Sequence, residues 1–334
     1  MRPADPSAAR HRPAGGGRVA VVTDSTAYLP VGLADRYGVH VVPLYVVLAG
    51  RSGREGSDVT SQEVARALTV RGGQVSTSRP TPGDFVAAYR ARLDAGAERI
   101  VSVHLSAELS GTWDAARLAA ASVGEHLVTV LDSRSAAMGS GFAVLAAARA
   151  AAAGATAEET AAAARVTAAA TRTLFVVDTL EHLRRGGRIG TAAAALGTAL
   201  AVKPILHVSD GQISALEKVR TSTRALHRLV QRAAEVAGDA PVDVAVHHLA
   251  APDRAQRLAD QLTDRLPVRE LHLSELGAAL GAHVGPGAVG VVIDPSPREQ
   301  DDPREQDESR RQDEPRDQGD RGGPGRGGEE LGGR

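Results

Sequence analysis

The sequence predicts an α/β protein of two α/β domains, the first with a mainly parallel sheet flanked by helices, the second smaller with a mixed sheet. Three observations carry this. Short β-rich runs alternate with helical stretches between residues 18 and 296. Three of those runs end in Ser or Asp-Ser just before a helical stretch opens. A hairpin signal, Asp210-Gly211, then breaks the alternation in the second half. Strand, polar loop and helix in repetition argue for parallel βα units, whereas the hairpin demands antiparallel pairing.

The elements follow in order. "RVAVVTDS" (18–25) is a buried strand ending in polar residues, and "VHVVPLYVVLAG" (39–50) a second strand region in which Pro43 implies an edge or a bend. "RIVSVHLS" (99–106) and "HLVTVLDS" (126–133) are strands followed by the helical "GTWDAARLAAAS" and "GFAVLAAARAAAAG". A second section begins near residue 171, where a strand leads to a helix ending at Gly186-Gly187. "KPILHVSDGQISALEKVRT" (203–221) reads as two strands joined at Asp210-Gly211. "VDVAVHHL", the helix "PDRAQRLADQLTDRL", "RELHLSELG" and "VGVVIDP" complete it. The expected organisation is a disordered arm (1–17), an N-terminal domain (18–170), a C-terminal domain (171–296) and a disordered acidic tail (297–334). The tail repeats a PREQD-like unit with 12 acidic and 8 basic residues, too polar to offset chain entropy by burial.

Composition narrows the chemistry. With 334 residues and a net charge of −1, the chain has no basic bias toward nucleic acid or an anionic membrane. It has no cysteine, which excludes disulfides, thiol catalysis and thiolate-bound metal. The first 17 residues lack the apolar core of a secretory signal, and the alanine-rich stretch 135–154 is interrupted by Arg149. The expectation is a cytoplasmic protein without stable membrane insertion, nucleic acid partner, metal or cofactor.

Candidate site residues come from hydroxyl-rich loops. In open α/β sheets ligands gather outside the carboxyl ends of strands. In "TSRPTPGDF" (77–85), Thr81 is an N-cap, Pro82 suits the first helical position and Asp84 favours the helix dipole. That leaves Thr77 and Ser78, whose hydroxyls serve either the turn or a ligand. In "LSAELSGTWDAA" (105–116), Ser106, Ser110 and Thr112 surround Gly111 between a strand and a helix, where free N–H groups attract an anion and glycine admits close approach. Two such loops suggest a neutral-donor cradle for a carboxylate or phosphate; the plain alternative is two helix caps.

Other phrases weigh less. Gly285, Gly287 and Gly290 fit G-x-G-x-x-G, but a strand follows where a dinucleotide site needs a helix, so that site is rejected. What remains there is His283 before a rigid Gly-Pro-Gly turn. Arg184 and Arg185 belong to a helix C-terminus, whereas Arg188 and Arg220 have no such explanation. His247 and His248 are neighbours in a strand and face opposite sides. No Walker loop, nucleophile elbow or zinc helix is present, which favours binding over self-sufficient catalysis.

Taken together, the phrases "VTDSTAYLP", "TSRPTPGDF", "LSGTW", "LDSRSAAMGSG", "LRRGGRIG", "LAVKPIL", "KVRT" and "GAHVGPGAVG" resemble, in order, those of the DegV family. The likeness spans about residues 20–293. It implies a DegV-like fold of two α/β domains with a long-chain fatty acid buried between them as ligand. It also implies that a separate ATP-dependent fatty acid kinase phosphorylates the carboxylate, the protein then carrying the acyl phosphate. By the same resemblance Thr77 and Ser110 bond the carboxylate; Ser78, Gly111 and Thr112, from the two hydroxyl-rich loops, are expected beside them. His283, Arg220 and Arg188 then lie near the head group or the kinase-facing surface. Arg79 departs from the family's Gln: inward it adds a charge at the head group, outward it alters only the surface. Two other readings stand beside this one, an esterase using Ser110 with His283 as base and a module for a small phosphorylated ligand.

Overall fold

The computed structural model describes residues 18–70, 73–189 and 203–296; the arm (1–17) and the acidic tail (297–334) lie outside the described residues. In chain order the strands are β1 (Val19–Asp24), β2 (His40–Val42), β3 (Tyr45–Leu48), β4 (Arg51–Arg54), β5 (Val75–Ser78), β6 (Arg99–His104), β7 (Val128–Asp132), β8 (Arg172–Val176), β9 (Lys203–Ser209), β10 (Gln212–Val219), β11 (Val242–His248), β12 (Val268–Glu275) and β13 (Val289–Asp294). The helices used below are α1 (Leu33–Tyr37), α2 (Ser61–Thr69), α3 (Pro82–Asp94), α4 (Thr112–Val123), α5 (Met138–Ala152), α6 (Ala157–Ala170), α7 (Glu181–Arg185), α8 (Ser222–Ala237), α9 (Pro252–Arg265) and α10 (Ala278–Val284).

The first sheet has the order β2-β1-β6-β7 and every pairing in it is parallel. Its strands are apolar on both faces because both are covered. Val22, Ile100 and Val128 meet Phe85, Tyr89 and the alanines of α4. Val21, Val101, Val103 and Leu131 meet Ala143, Val144, Ala147 and Ala148 of α5 and Ala161 and Ala164 of α6. The expected strand region 39–50 divides at Pro43. Residues before it form β2 at the edge of this sheet, and residues after it form β3 in another. Proline removes a ladder donor and turns the chain away.

The second sheet has the order β10-β9-β8-β13-β11-β12, mixed as expected, with β11 and β12 parallel and the other pairings antiparallel. Its six strands outnumber the four of the first sheet, so the unit expected to be the smaller carries the larger sheet. The β9–β10 hairpin turns at Asp210 (φ 51°) and Gly211 (φ 80°), the doubly left-handed geometry its sequence calls for. One face of the sheet is covered by α8 and α9 through Leu226, Leu229, Leu258 and Leu262. On the other face Met138, Phe142 and Leu145 of α5 pack with Ala245 and Val292. Helix α5 thus serves both sheets, which is why residues 135–154 read as apolar almost all round.

A third sheet, β4-β3-β5, is antiparallel and was not expected. Its β3–β4 turn places Ala49 at φ 50° and Gly50 at φ 79°. Alanine is seldom found there, so the usual turn signal is missing from the sequence. Leu44, Val46 and Val64 pack on Ala278, Ala279 and Ala282, so this sheet and α2 cover α10.

A buried carboxylate fastens the same junction. Glu55, after β4, accepts hydrogen bonds from the Ser25 hydroxyl, from Tyr28 Oη (3.0 Å) and from the Ala279 backbone N–H (2.8 Å). Tyr28 Oη in turn accepts from Leu280 N–H at 3.2 Å. Gly277 leaves the room for this: a Cβ there would run into the Glu55 carboxylate and the Tyr28 ring. Burial, opposed by these three donors, leaves the Glu55 carboxyl above its ordinary pKa. Its protonated form is therefore favoured by folding, and that contribution, full below the ordinary value, is lost as the pH rises through the raised one. Glu55→Ala is expected to lower stability by about 2–4 kcal/mol by orphaning three donors. Glu55→Gln should cost far less and should lessen the fall in stability between pH 4.5 and neutrality, as urea unfolding across that range will measure.

Candidate functional site

Where α10 meets the second sheet, the protein encloses a cavity of about 910 Å³, its mouth included. Most of the wall is aliphatic: Leu105, Leu109, Ile213, Leu276, Leu280 and Val292 are among the lining residues. Thr77, Ser110, Arg188 and His283 line it too.

Four segments bring these residues together. Thr77 stands in β5 opposite Val46, and Ser110 in the loop between β6 and α4. Arg188 follows the α7 terminus, where Gly187 supplies the left-handed turn (φ 71°) and Gly186 stays right-handed. His283 lies in the last turn of α10. Thr77 Oγ1 and His283 Nε2 are 2.8 Å apart across 206 residues of sequence. The His283 ring abuts Gly186, which has no side chain to collide with it. Arg188 donates from Nε to Leu109 O (3.0 Å) and from Nη1 to Gly186 O, so it sits beside both the histidine and the serine loop. Ser110 Oγ is 2.9 Å from Thr112 Oγ1 and accepts from the Thr112 N–H.

The electrostatics are uneven. Burial first, and the Arg188 charge second, push the His283 imidazole down to about 4, so it is neutral near pH 7. Its Nδ1 is buried without a hydrogen-bond partner among the described residues. A bare lone pair there is tolerated better than an unpaired N–H, which favours the tautomer with the proton on Nε2, donated to Thr77 Oγ1. The Thr77 hydroxyl proton is then free to point at a ligand. Arg188 is half-buried and has no acidic partner among the described residues. The neutral cradle expected from the sequence is therefore joined by a positive charge that no acidic side chain among the described residues pairs with.

Other expected residues are placed differently. Ser78 is exposed and its hydroxyl turns to Arg79 O. Gly111 and Thr112 are not among the cavity's lining residues. The room over Gly111 is taken by the Arg79 guanidinium, so the glycine accommodates an arginine and not a ligand. Arg79 is itself exposed and is not among the cavity's lining residues. Thr112 is fully buried and serves Ser110. Trp113, next along α4, lies under the Arg117 guanidinium, 4.7 Å from ring centroid to Cζ. Arg220 is exposed after β10 and does not line the cavity. Thr81 caps α3 as its sequence implied, in a capping box with Asp84.

The geometry weighs against an esterase built on Ser110. His283 Nε2 faces Thr77, not Ser110, and no carboxylate orients its other nitrogen. A Ser-His-Asp line that sequence reading missed does exist elsewhere. Ser102 Oγ is 2.7 Å from His104 Nε2, and His104 Nδ1 is 3.0 Å from Asp24 Oδ2. These residues are 0 %, 0 % and 1 % exposed, and Tyr89 Oη donates to the serine. No substrate reaches them. Asp24 also accepts from the N–H of Leu105, so the line fixes a wall residue of the cavity. The i, i+2 spacing of Ser102 and His104 on β6 was its only trace in the sequence.

The family model for DegV proteins matches residues 18–296. The chain belongs to the DegV family. A DegV domain-containing protein of Streptomyces coelicolor is 54 % identical over 276 residues, 82 % of this chain and 98 % of the relative. The DegV protein of Bacillus subtilis is 34 % identical over 275 residues, with 82 % and 98 % covered. Among solved structures, a DegV family protein of Thermus thermophilus, studied for its fatty acid binding, superposes with a TM-score of 0.79. Its identity is 36 %, over 83 % of this chain and 99 % of that one. The crystal structure of Bacillus subtilis DegV, a fatty acid binding protein, gives 0.77 at 33 % identity, covering 84 % and 99 %. The mixed α/β fold of these DegV structures is thus the fold of this chain. Among the described residues no helix is long and apolar enough to cross a membrane, and no cluster of three or more acidic or histidine side chains is placed to hold a metal ion.

The depressed pKa of His283 has a measurable sign. Folding favours the neutral ring, so its contribution to stability is complete above the ordinary value of 6.5 and is lost as the pH falls toward about 4. In an NMR titration of labelled histidine, the His283 ring is expected to stay neutral at pH 5.5. In His283→Asn the loss of stability between pH 6.5 and 4 should be smaller than in the parent protein.

Proposed function

We propose that this protein binds a long-chain fatty acid between its two domains (18–170 and 171–296), presents the carboxylate to a separate ATP-dependent fatty acid kinase, and then carries the acyl phosphate. The observation behind this reading is Arg188: a half-buried guanidinium without an acidic partner among the described residues, at the polar end of an aliphatic cavity. A charge so placed calls for an anion, and the walls call for that anion to trail hydrocarbon. Each buried methylene contributes about 0.8 kcal/mol, so the chain supplies most of the affinity. The fatty acid binding of the Thermus thermophilus and Bacillus subtilis relatives supports the same ligand class. A small phosphorylated ligand would leave the aliphatic wall unused.

On this reading the carboxylate accepts from the Thr77 and Ser110 hydroxyls and lies beside Arg188, with neutral His283 orienting Thr77. One carboxylate oxygen attacks the γ-phosphorus of ATP on the kinase, the bond to the bridging oxygen breaks, and ADP leaves. The binding protein supplies no nucleophile of its own and is not itself the enzyme. Exposed Arg220 belongs to the surface that meets the kinase, and the dependence on ATP makes the setting cytoplasmic.

Native mass spectrometry of the purified protein, with lipid analysis after denaturation, tests the ligand. One fatty acid per chain is expected. Thr77→Ala and Ser110→Ala should each weaken binding about tenfold to hundredfold, the worth of a hydrogen bond to a charged group. A ligand-free mass, unchanged after incubation with fatty acids of several lengths, would sink the proposal. For the kinase step, loaded protein and ATP should yield acyl phosphate only when the kinase is added.

A further inference from the structure

The rejected dinucleotide motif leaves one glycine unexplained. Gly285 (φ 75°) and Gly287 (φ 83°) adopt left-handed backbone that favours glycine. Gly290 does not: it lies in β13 with extended geometry open to any residue. Its neighbours along the strand are Val289, Val291, Val292 and Ile293. Glycine inside a strand is destabilising relative to alanine, so its presence here points to space and not to backbone freedom.

Gly290 also lines the cavity. β13 runs between β8 and β11, and Gly290 pairs with Phe175 on one side and His247 on the other. All three line the cavity. Phe175 and Gly290 are only part-buried although their strands are interior to the sheet. His247 engages both ring nitrogens, one with Ser274 Oγ at 3.0 Å and the other with Met138 N–H at 3.3 Å, so it offers the cavity a wall and no polar handle. The row Phe175–Gly290–His247 is thus a slot across the sheet with a glycine floor. A Cβ added at Gly290 would lie 3.0 Å from Phe175 Cβ and 3.1 Å from Leu174 O, closer than ordinary contact, so even alanine must displace Phe175.

We propose that Gly290 sets the bore of the cavity where an acyl chain crosses the second sheet, and so fixes which chain lengths the protein accepts. The inference rests on the fatty acid reading above and adds to it a residue that determines specificity. Chains too short to reach the slot ignore a substitution there; longer ones must pass it.

The test measures affinity for a ladder of saturated fatty acids, from about eight to about twenty carbons, in the full-length protein and its variants. In Gly290→Ala, chains below a threshold length should bind as to the parent protein, and chains above it should weaken about tenfold or more, as overpacking by a methyl implies. Phe175→Ala in the same background should restore the long chains. Phe175→Trp alone, which fills the slot from its side and leaves the β13 backbone untouched, should reproduce the threshold. Thermal unfolding without ligand confirms that each variant folds. Equal loss at every length would mean that Gly290 serves only the sheet, and would overturn the inference. So would unchanged affinity at every length in both Gly290→Ala and Phe175→Trp. Parent protein that takes up no chain at all overturns the fatty acid reading and this inference with it, whereas parent that binds beside variants without a threshold overturns this inference alone.

Discussion

The Glu55 carboxylate draws Ser25 and Tyr28, just after β1, onto Ala279 at the start of α10, and the geometry of the site hangs on that junction. A helix of seven residues has almost no stability of its own in water. It must be held by its surroundings, here the third sheet below it and the carboxylate at its first turn. Its last turn carries His283, and the 2.8 Å approach to Thr77 depends on where that helix is fastened. Sequence-distant residues therefore meet because a buried acid fixes the element between them.

The cavity follows from an unequal division of labour. The first sheet is wholly parallel and covered on both faces, and its strand ends carry the Asp24, His104 and Ser106 loops. The second sheet offers α8 and α9 one face and leaves part of the other to the cavity. Helix α5 lies between, its alanines close to the first sheet and its larger Met138, Phe142 and Leu145 against the second. With three Phe and one Trp in 334 residues, aliphatic side chains had to supply most of this wall.

Much of this was legible in the sequence, for identifiable reasons. The βα units showed as strand-loop-helix repeats, the β9–β10 hairpin as Asp210-Gly211, and the α3 start as a Thr81 cap. Thr77, Ser110, Arg188 and His283, conspicuous in the sequence, line one cavity. The third sheet was not legible, because its turn uses Ala49 where Asn or Gly would have announced it. Glu55 was missed for a different reason: a carboxylate in "RSGREGSD" reads as surface, and only the fold brings Ser25, Tyr28 and Ala279 to it. Gly111 was read as an opening for a ligand because sequence cannot show that Arg79 fills the space. That no acidic side chain among the described residues pairs with Arg188 is likewise a property of three dimensions.

One consequence concerns light and not binding. The chain has a single tryptophan, Trp113, in the first turn of α4 directly after Thr112. Its indole lies under the Arg117 guanidinium, and its buried Nε1 has no hydrogen-bond partner. The tryptophan emission of the whole molecule therefore originates beside the Ser110 loop. The protein carries a built-in optical reporter whose spectrum follows the surroundings of that one turn and of no other part of the chain.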